Sequence, residues 1–132
     1  MRLNHITLLI SDYERSLAFY RALGLEQIVD APPRYARFAF PDGDATLSIE
    51  VTPDGAAGTL TRTELFFECD DLDERVAALK SQGLRFDQDP TDMPYLWREA
   101  ILHDPDGHEI RLYHAGEARL NPPWKIKPTA SG

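Results

Sequence analysis

Several ionisable side chains stand where an apolar strand has no need of them. His5 lies in "LNHITLLISD", Glu50 in "TLSIEV", Glu64 in "ELFFECD" and Arg111 in "GHEIRLYH". An imidazole and carboxylates can hold a divalent ion or carry a proton, and a guanidinium can grip a carboxylate or phosphate with its planar fork. Each also has a plainer reading. His5 can be a hydrogen-bonded histidine at the start of a strand, and Arg111 can be an ion-pair partner. A second stretch, "PYLWREA", crowds Tyr95, Trp97 and Arg98 into a loop that enters a strand. That composition suits an aromatic or anionic ligand, or a rim packed against the chain end near Trp124. His103, His108 and His114 follow along one hairpin, but their parity differs. His108 reads as solvated in the turn and His114 as facing a helix.

Other chemistries lack their residues. Cys69 is the only cysteine, so an intrachain disulfide and a Cys-based zinc site are excluded. There is no phosphate-cradling glycine loop, no Gly-x-Ser-x-Gly elbow and no Cys-His nucleophile pair. A net charge of −8, from 22 acidic against 14 basic residues, argues against a nucleic-acid partner. No stretch is long and apolar enough for a membrane span, so the expected partner is a small molecule and the expected location is the cytoplasm.

The elements that must position these residues emerge from an internal repeat. Displaced by 59 positions, "HITLLISDYERSLAFYRALGL" lies over "ELFFECDDLDERVAALKSQGL" without a gap, with His5 on Glu64 and Gly24 on Gly83. Each copy opens as a strand. Ile6, Leu8 and Ile10 alternate with His5, Thr7 and Leu9; Leu65, Phe67 and Cys69 alternate with Glu64, Phe66 and Glu68. Each then becomes a helix. Ser11 or Asp12 can cap the first, whose stripe is Tyr13, Leu17 and Tyr20, with Phe19 and Leu23 as further candidates; Leu72, Val76 and Leu79 form the stripe of the second. Gly24 and Gly83 supply the stops.

Turn residues then divide each half into further strands, expected over 25–30, 34–40 and 45–51 and over 84–88, 96–103 and 109–114. The breaks are Pro32-Pro33, the Pro41-Asp42-Gly43 turn, the span 90–94 and the Pro105-Asp106-Gly107 turn. At 132 residues this is one domain of two units, residues 2–53 and 60–114, with a linker over 54–59 and a tail over 115–132. Leu47, Ile49 and Val51 turn Glu50 to the face away from the helix, and Ile110 and Leu112 do the same for Arg111, beside Glu109 and Tyr113.

Paired βαβββ units, a histidine early in the first strand, "SDYERSLAFYRALGLE" as first helix and "DPDGHEIRLY" as last hairpin resemble the vicinal oxygen chelate superfamily. That group includes glyoxalase I, extradiol dioxygenases, fosfomycin resistance enzymes and bleomycin resistance proteins. The resemblance implies an α+β fold of two βαβββ modules whose curved mixed sheets enclose a cavity. Position by position, it puts metal ligands at His5, Glu50 and Glu64, with Glu64 also the catalytic base. Arg111 stands where the fourth ligand usually lies, and it would bind substrate with Arg98, Trp97, Tyr113 and Phe66.

Implied by the resemblance is a divalent ion, Mn, Fe, Ni, Zn or Co, in a lyase, isomerase or dioxygenase acting on adjacent oxygens, built as a homodimer. Against the ion, a guanidinium about 5 Å from a dication is opposed by roughly 6–7 kcal/mol at an effective dielectric near 20. The alternative is a metal-free binding or resistance protein that sequesters an aromatic or cationic drug. Arg111 argues against glyoxalase I activity itself.

Overall fold

The computed structural model describes residues 1–52 and 63–128, so the expected linker over 54–59 lies outside the described residues. The chain runs β1 (His5–Ile10), α1 (Tyr13–Leu23), β2 (Glu26–Ala31), β3 (Tyr35–Ala39), β4 (Thr46–Val51), β5 (Glu64–Glu68), α2 (Leu72–Ser81), β6 (Gln88–Asp92), β7 (Arg98–His103) and β8 (Glu109–His114). A 3₁₀ turn, Gly116–Ala118, follows. The two sheets have orders β1-β4-β3-β2 and β5-β8-β7-β6, the same topology twice. In each, the opening strand pairs in parallel with the last and the other pairings are antiparallel. The fold is therefore α+β, built from two βαβββ modules.

The helices form where the apolar stripe and the caps agree. Asp12 caps α1 by accepting from Arg15 N at 3.2 Å, and Gly24 ends it in the left-handed conformation at φ 108°. Tyr13, Leu17, Tyr20 and Leu23 are buried, with Ser16 among them. In α2 the buried residues are Leu72, Val76 and Leu79, and Asp71 stands at the cap without a side-chain bond. These stripes cover Leu8, Ile10, Leu47 and Ile49 in one sheet and Leu65, Leu102, Ile110 and Leu112 in the other, so each sheet keeps its opposite face open.

One expected strand moves. The sequence favours a strand over 84–88 and a break over 90–94, whereas β6 is Gln88–Asp92 and contains Pro90. A proline is tolerated because β6 is the outer strand and its register shifts between Gln88 and Thr91. The other boundaries differ by at most two residues.

The modules are joined through side chains as well as the chain. Tyr20 Oη donates to Asp104 Oδ2 at 2.7 Å in the buried interior. Ser11 gives both its N–H and its hydroxyl to Asp106 Oδ1, at 3.0 and 2.6 Å. Phe40 and Phe67 meet edge to face at 4.9 Å. Far from being free in its turn, His108 places Nε2 2.8 Å from the Leu9 carbonyl.

Candidate functional site

The open face of the first sheet carries His5, Thr46, Ser48, Tyr35 and Arg37. His5 and Thr46 are register partners on neighbouring strands, and His5 Nδ1 lies 2.6 Å from Thr46 Oγ1. Its Nε2 stands 3.2 Å from Thr7 Oγ1 and 3.4 Å from Ser48 Oγ. Arg37 Nε donates to Tyr35 Oη at 3.0 Å, and Tyr35 Oη and Ser48 Oγ are 2.6 Å apart. A single run of donors satisfies four of these five contacts: Arg37 to Tyr35, Tyr35 to Ser48, Ser48 to His5, and His5 through Nδ1–H to Thr46, with Thr7 Oγ1 sharing the Nε2 acceptor. The imidazole is held at both nitrogens by hydroxyls of its own module.

Glu50 does not join it. Its partner across β1 is Leu9, while that of His5 is Thr46, four positions away and so about 13 Å along the strand at the usual rise. Glu50 instead lies 3.8 Å from Arg34, across from Tyr35. By the register of the second sheet, where Glu64 faces Glu109 and Phe66 faces Arg111, the residue that corresponds to Arg111 in the first module is Ser48. Glu50 corresponds to Tyr113, so the family position carried onto Glu50 is two residues out of step.

On the second sheet Glu64, Glu99, Glu109 and Arg111 converge. Arg111 donates from Nη1 to Glu99 Oε1 at 2.7 Å, from Nε to Glu109 Oε2 at 3.1 Å and from Nη2 to Glu64 Oε1 at 3.3 Å. Its carbon Cζ lies 5.5 Å from the centre of the Phe66 ring. Burial works against the charge on Arg111, but the bonds to Glu99 and Glu109 and the charge of Glu64 more than offset it, and its pKa is raised. Glu99 is fully buried, and its Oε2 has no hydrogen-bond partner. Glu99 is not among the residues that the sequence singles out. Its signal was alternation with Ala100 and Leu102, which turns it to the Arg111 face, directly across from Tyr113.

Above this cluster lie aromatic rings. Trp97 and Tyr113 have centroids 4.9 Å apart, Phe66 stands edge-on to both at 5.7 and 5.3 Å, and Tyr95 stands edge-on to Trp97 at 5.7 Å. Burial, reinforced by the nearby Glu99 carboxylate, pushes the Tyr95 hydroxyl up to about 12. Leu96 between Tyr95 and Trp97 has φ 71°, an uncommon conformation for a branched residue, and it turns the two rings onto the same platform.

Arg98 belongs elsewhere. It shares the helix-side face of β7 with Ala100 and Leu102 and is gripped by Asp73 at 2.9 and 3.0 Å and Asp92 at 3.0 Å. Those bonds raise the Arg98 pKa and hold Asp73 below its ordinary value. It is a clamp on the start of α2, not a companion of Arg111.

The expected ligands of a divalent ion stand apart or are already engaged. His5 is occupied at both nitrogens, Glu50 is at the far end of the strand, and Glu64 shares a guanidinium with Glu99 and Glu109. Among the described residues no group of three His, Cys, Asp or Glu side chains is arranged to hold a metal. Within one chain these residues do not fit the ion. No helix among the described residues is long and apolar enough to cross a membrane.

Solved structures of similar fold carry different descriptions. TnmS3, an antibiotic binding protein from Streptomyces sp. CB03234, is 26% identical, with a TM-score of 0.73 over 87% of this chain and 96% of that one. Lactoylglutathione lyase from Agrobacterium tumefaciens is 18% identical, with a TM-score of 0.71 over 95% and 97%. A superfamily member from Sphaerobacter thermophilus DSM 20745 is 24% identical, with a TM-score of 0.68 over 86% and 97%. The comparison with curated proteins gives no match. The sequence profile of the Glyoxalase/Bleomycin resistance protein/Dioxygenase superfamily matches residues 2–112, and with the doubled βαβββ fold this shows that the chain belongs to that superfamily.

Proposed function

We propose that this chain is a metal-free small-molecule-binding protein whose ligand is a planar aromatic carrying hydrogen-bond donors or a positive charge. The observation that carries this reading is Arg111. It occupies the expected place of a metal ligand and binds Glu64, Glu99 and Glu109 together, which removes those carboxylates from metal duty.

Around one guanidinium stand the carboxylates of Glu64, Glu99 and Glu109, so the face keeps a negative balance. Phe66 and Tyr95 remain partly exposed, giving a flat ring an apolar surface to lie on. With Arg98 turned to the other side of the sheet, the cationic ligand meets one inward arginine of the second module rather than two. The resemblance in fold to an antibiotic binding protein supports a sequestering role. Leu9, Phe66 and Leu96 are exposed on or beside the open faces, and a second copy of the chain laid against them makes a homodimer with an enclosed site.

The test is a titration with 9-aminoacridine, a planar cation, followed by the ligand's own fluorescence in wild type and Trp97→Leu. Saturable binding with fixed stoichiometry, weakened about tenfold in Trp97→Leu and unaffected by a chelator, supports the reading. Binding that needs added Mn, Fe, Ni, Zn or Co overturns it.

A further inference from the structure

The two open sheet faces treat their arginines in opposite ways. By register, His5 takes the place of Glu64, Thr46 that of Glu109 and Tyr35 that of Glu99. Every carboxylate that surrounds Arg111 in the second module is therefore a hydroxyl or an imidazole in the first.

The first face nevertheless carries a guanidinium. Arg37 stands in the middle of β3 opposite Ser48, which is itself opposite Thr7 on β1. Its Nε donates to Tyr35 Oη at 3.0 Å and its Cζ lies 5.6 Å from the centre of the Tyr35 ring, so the tyrosine fixes one edge of the fork. The edge formed by the two Nη groups stays open. Among the described residues neither Nη has a hydrogen-bond partner, and both reach solvent. No carboxylate of the described residues is within ion-pair reach of Arg37; Glu50, on the neighbouring strand, is engaged by Arg34 at 3.8 Å.

The hydroxyls beside Arg37 are in surplus as donors. Ser48, which is fully buried, and Thr7 reach the same His5 Nε2, at 3.4 and 3.2 Å, and its one lone pair serves one of them. In the other tautomer Nε2 donates, and both hydroxyl hydrogens lose that acceptor. Either way this cluster holds more donors than acceptors beside a cation without a counter-charge, and what complements it is a group that brings oxygens and a negative charge.

We propose that the open face of the first sheet is a second ligand site, taking the carboxylate of a small organic acid across the two Nη groups of Arg37 in a bidentate pair. It goes beyond the aromatic platform, prefers the opposite charge and uses none of the same residues, so either site can fail alone.

The experiment titrates the ¹⁵N-labelled full chain, at constant ionic strength, with benzoate and benzamide, which share a planar ring and differ in the charge of the acceptor group. Benzoate is expected to shift the amides of Thr7, Arg37 and Ser48 and to bind about tenfold more tightly than benzamide, the scale of a hydrogen bond between charged groups. Arg37→Met lowers benzoate to the level of benzamide. Arg37→Lys keeps the charge but loses the fork, and it binds benzoate more weakly than wild type; should Arg37→Met not fold, the lysine variant carries the test alone. Benzoate no tighter than benzamide, a lysine variant that binds benzoate as wild type does, an unchanged affinity in Arg37→Met, or shifts confined to Phe66, Glu99 and Tyr113 overturns the proposal.

Discussion

Arg111 donates to Glu99 across 2.7 Å, from a residue that is 17% exposed to one that is fully buried. The two are diagonal neighbours on β8 and β7, since Arg111 pairs with Ile101 and Glu99 with Tyr113. A carboxylate in that position depends on its partner. Removing the guanidinium by Arg111→Met leaves a buried charge without its counterpart and is expected to cost about 3–5 kcal/mol. Glu99→Met in the same chain recovers most of it. Urea unfolding of the two single variants and the double variant measures the coupling, and simple additivity would refute it.

His5 is expected to act as a strand-end hydrogen-bonding group. His5→Asn keeps a polar side chain between Thr46 and Ser48 and is expected to change stability by less than about 1 kcal/mol. Elemental analysis of the wild-type protein, purified without a tag, is expected to find no near-stoichiometric Mn, Fe, Ni, Zn or Co. A full equivalent of metal, lost in His5→Asn, would reverse the assignment.

On the platform, Trp97→Leu and Phe66→Leu are each expected to weaken 9-aminoacridine by about tenfold, the upper range for an aromatic contact beyond its area. Trp124, which stands exposed at the other end of the described chain, serves as the control, and Trp124→Leu leaves the affinity unchanged.

Acid is expected to loosen the junction after β8. Glu68 Oε2 accepts from the N–H groups of Ala115 at 2.8 Å and Gly116 at 3.0 Å. Burial alone would raise its pKa, but these bonds, with His114 and Arg119 nearby, hold it below the ordinary value. The folded state therefore binds fewer protons than the unfolded one. The stabilisation is complete above the unfolded carboxylate value near 4.3 and is lost as pH falls through the lower folded value. Glu68→Gln is expected to cost about 1–2 kcal/mol at neutral pH and to flatten this acid limb. Parallel slopes for wild type and variant below pH 5 would contradict it.

Much of the fold could be read because two periodicities were clean. Ile6, Leu8 and Ile10 announced β1, and Leu72, Val76 and Leu79 announced the buried stripe of α2. Strand β6 was hidden because Pro90 looks like a break until the sheet order makes it an edge. The site was half legible. Parity brought Arg111, Tyr113, Phe66 and Glu64 to one face, but it cannot supply register. Glu50 was therefore credited with a neighbour it does not have, and Glu99 was passed over. Arg98 misled for a different reason: adjacency to Trp97 in sequence puts it on the opposite face of a strand.

The hairpin at Asp104 to His108 also bears on how this chain behaves in a crowd. An outer strand offers unpaired carbonyls and amides to any passing extended segment. Here His108 occupies the Leu9 carbonyl and Asp106 the Ser11 amide, so the far end of β1 is already spoken for by the other half of the same molecule. Loss of that cover, as in His108→Ala combined with Asp106→Ala, would expose a template for strand addition. Protection of the β1 edge against strand addition would then be the property that the second module confers on the first.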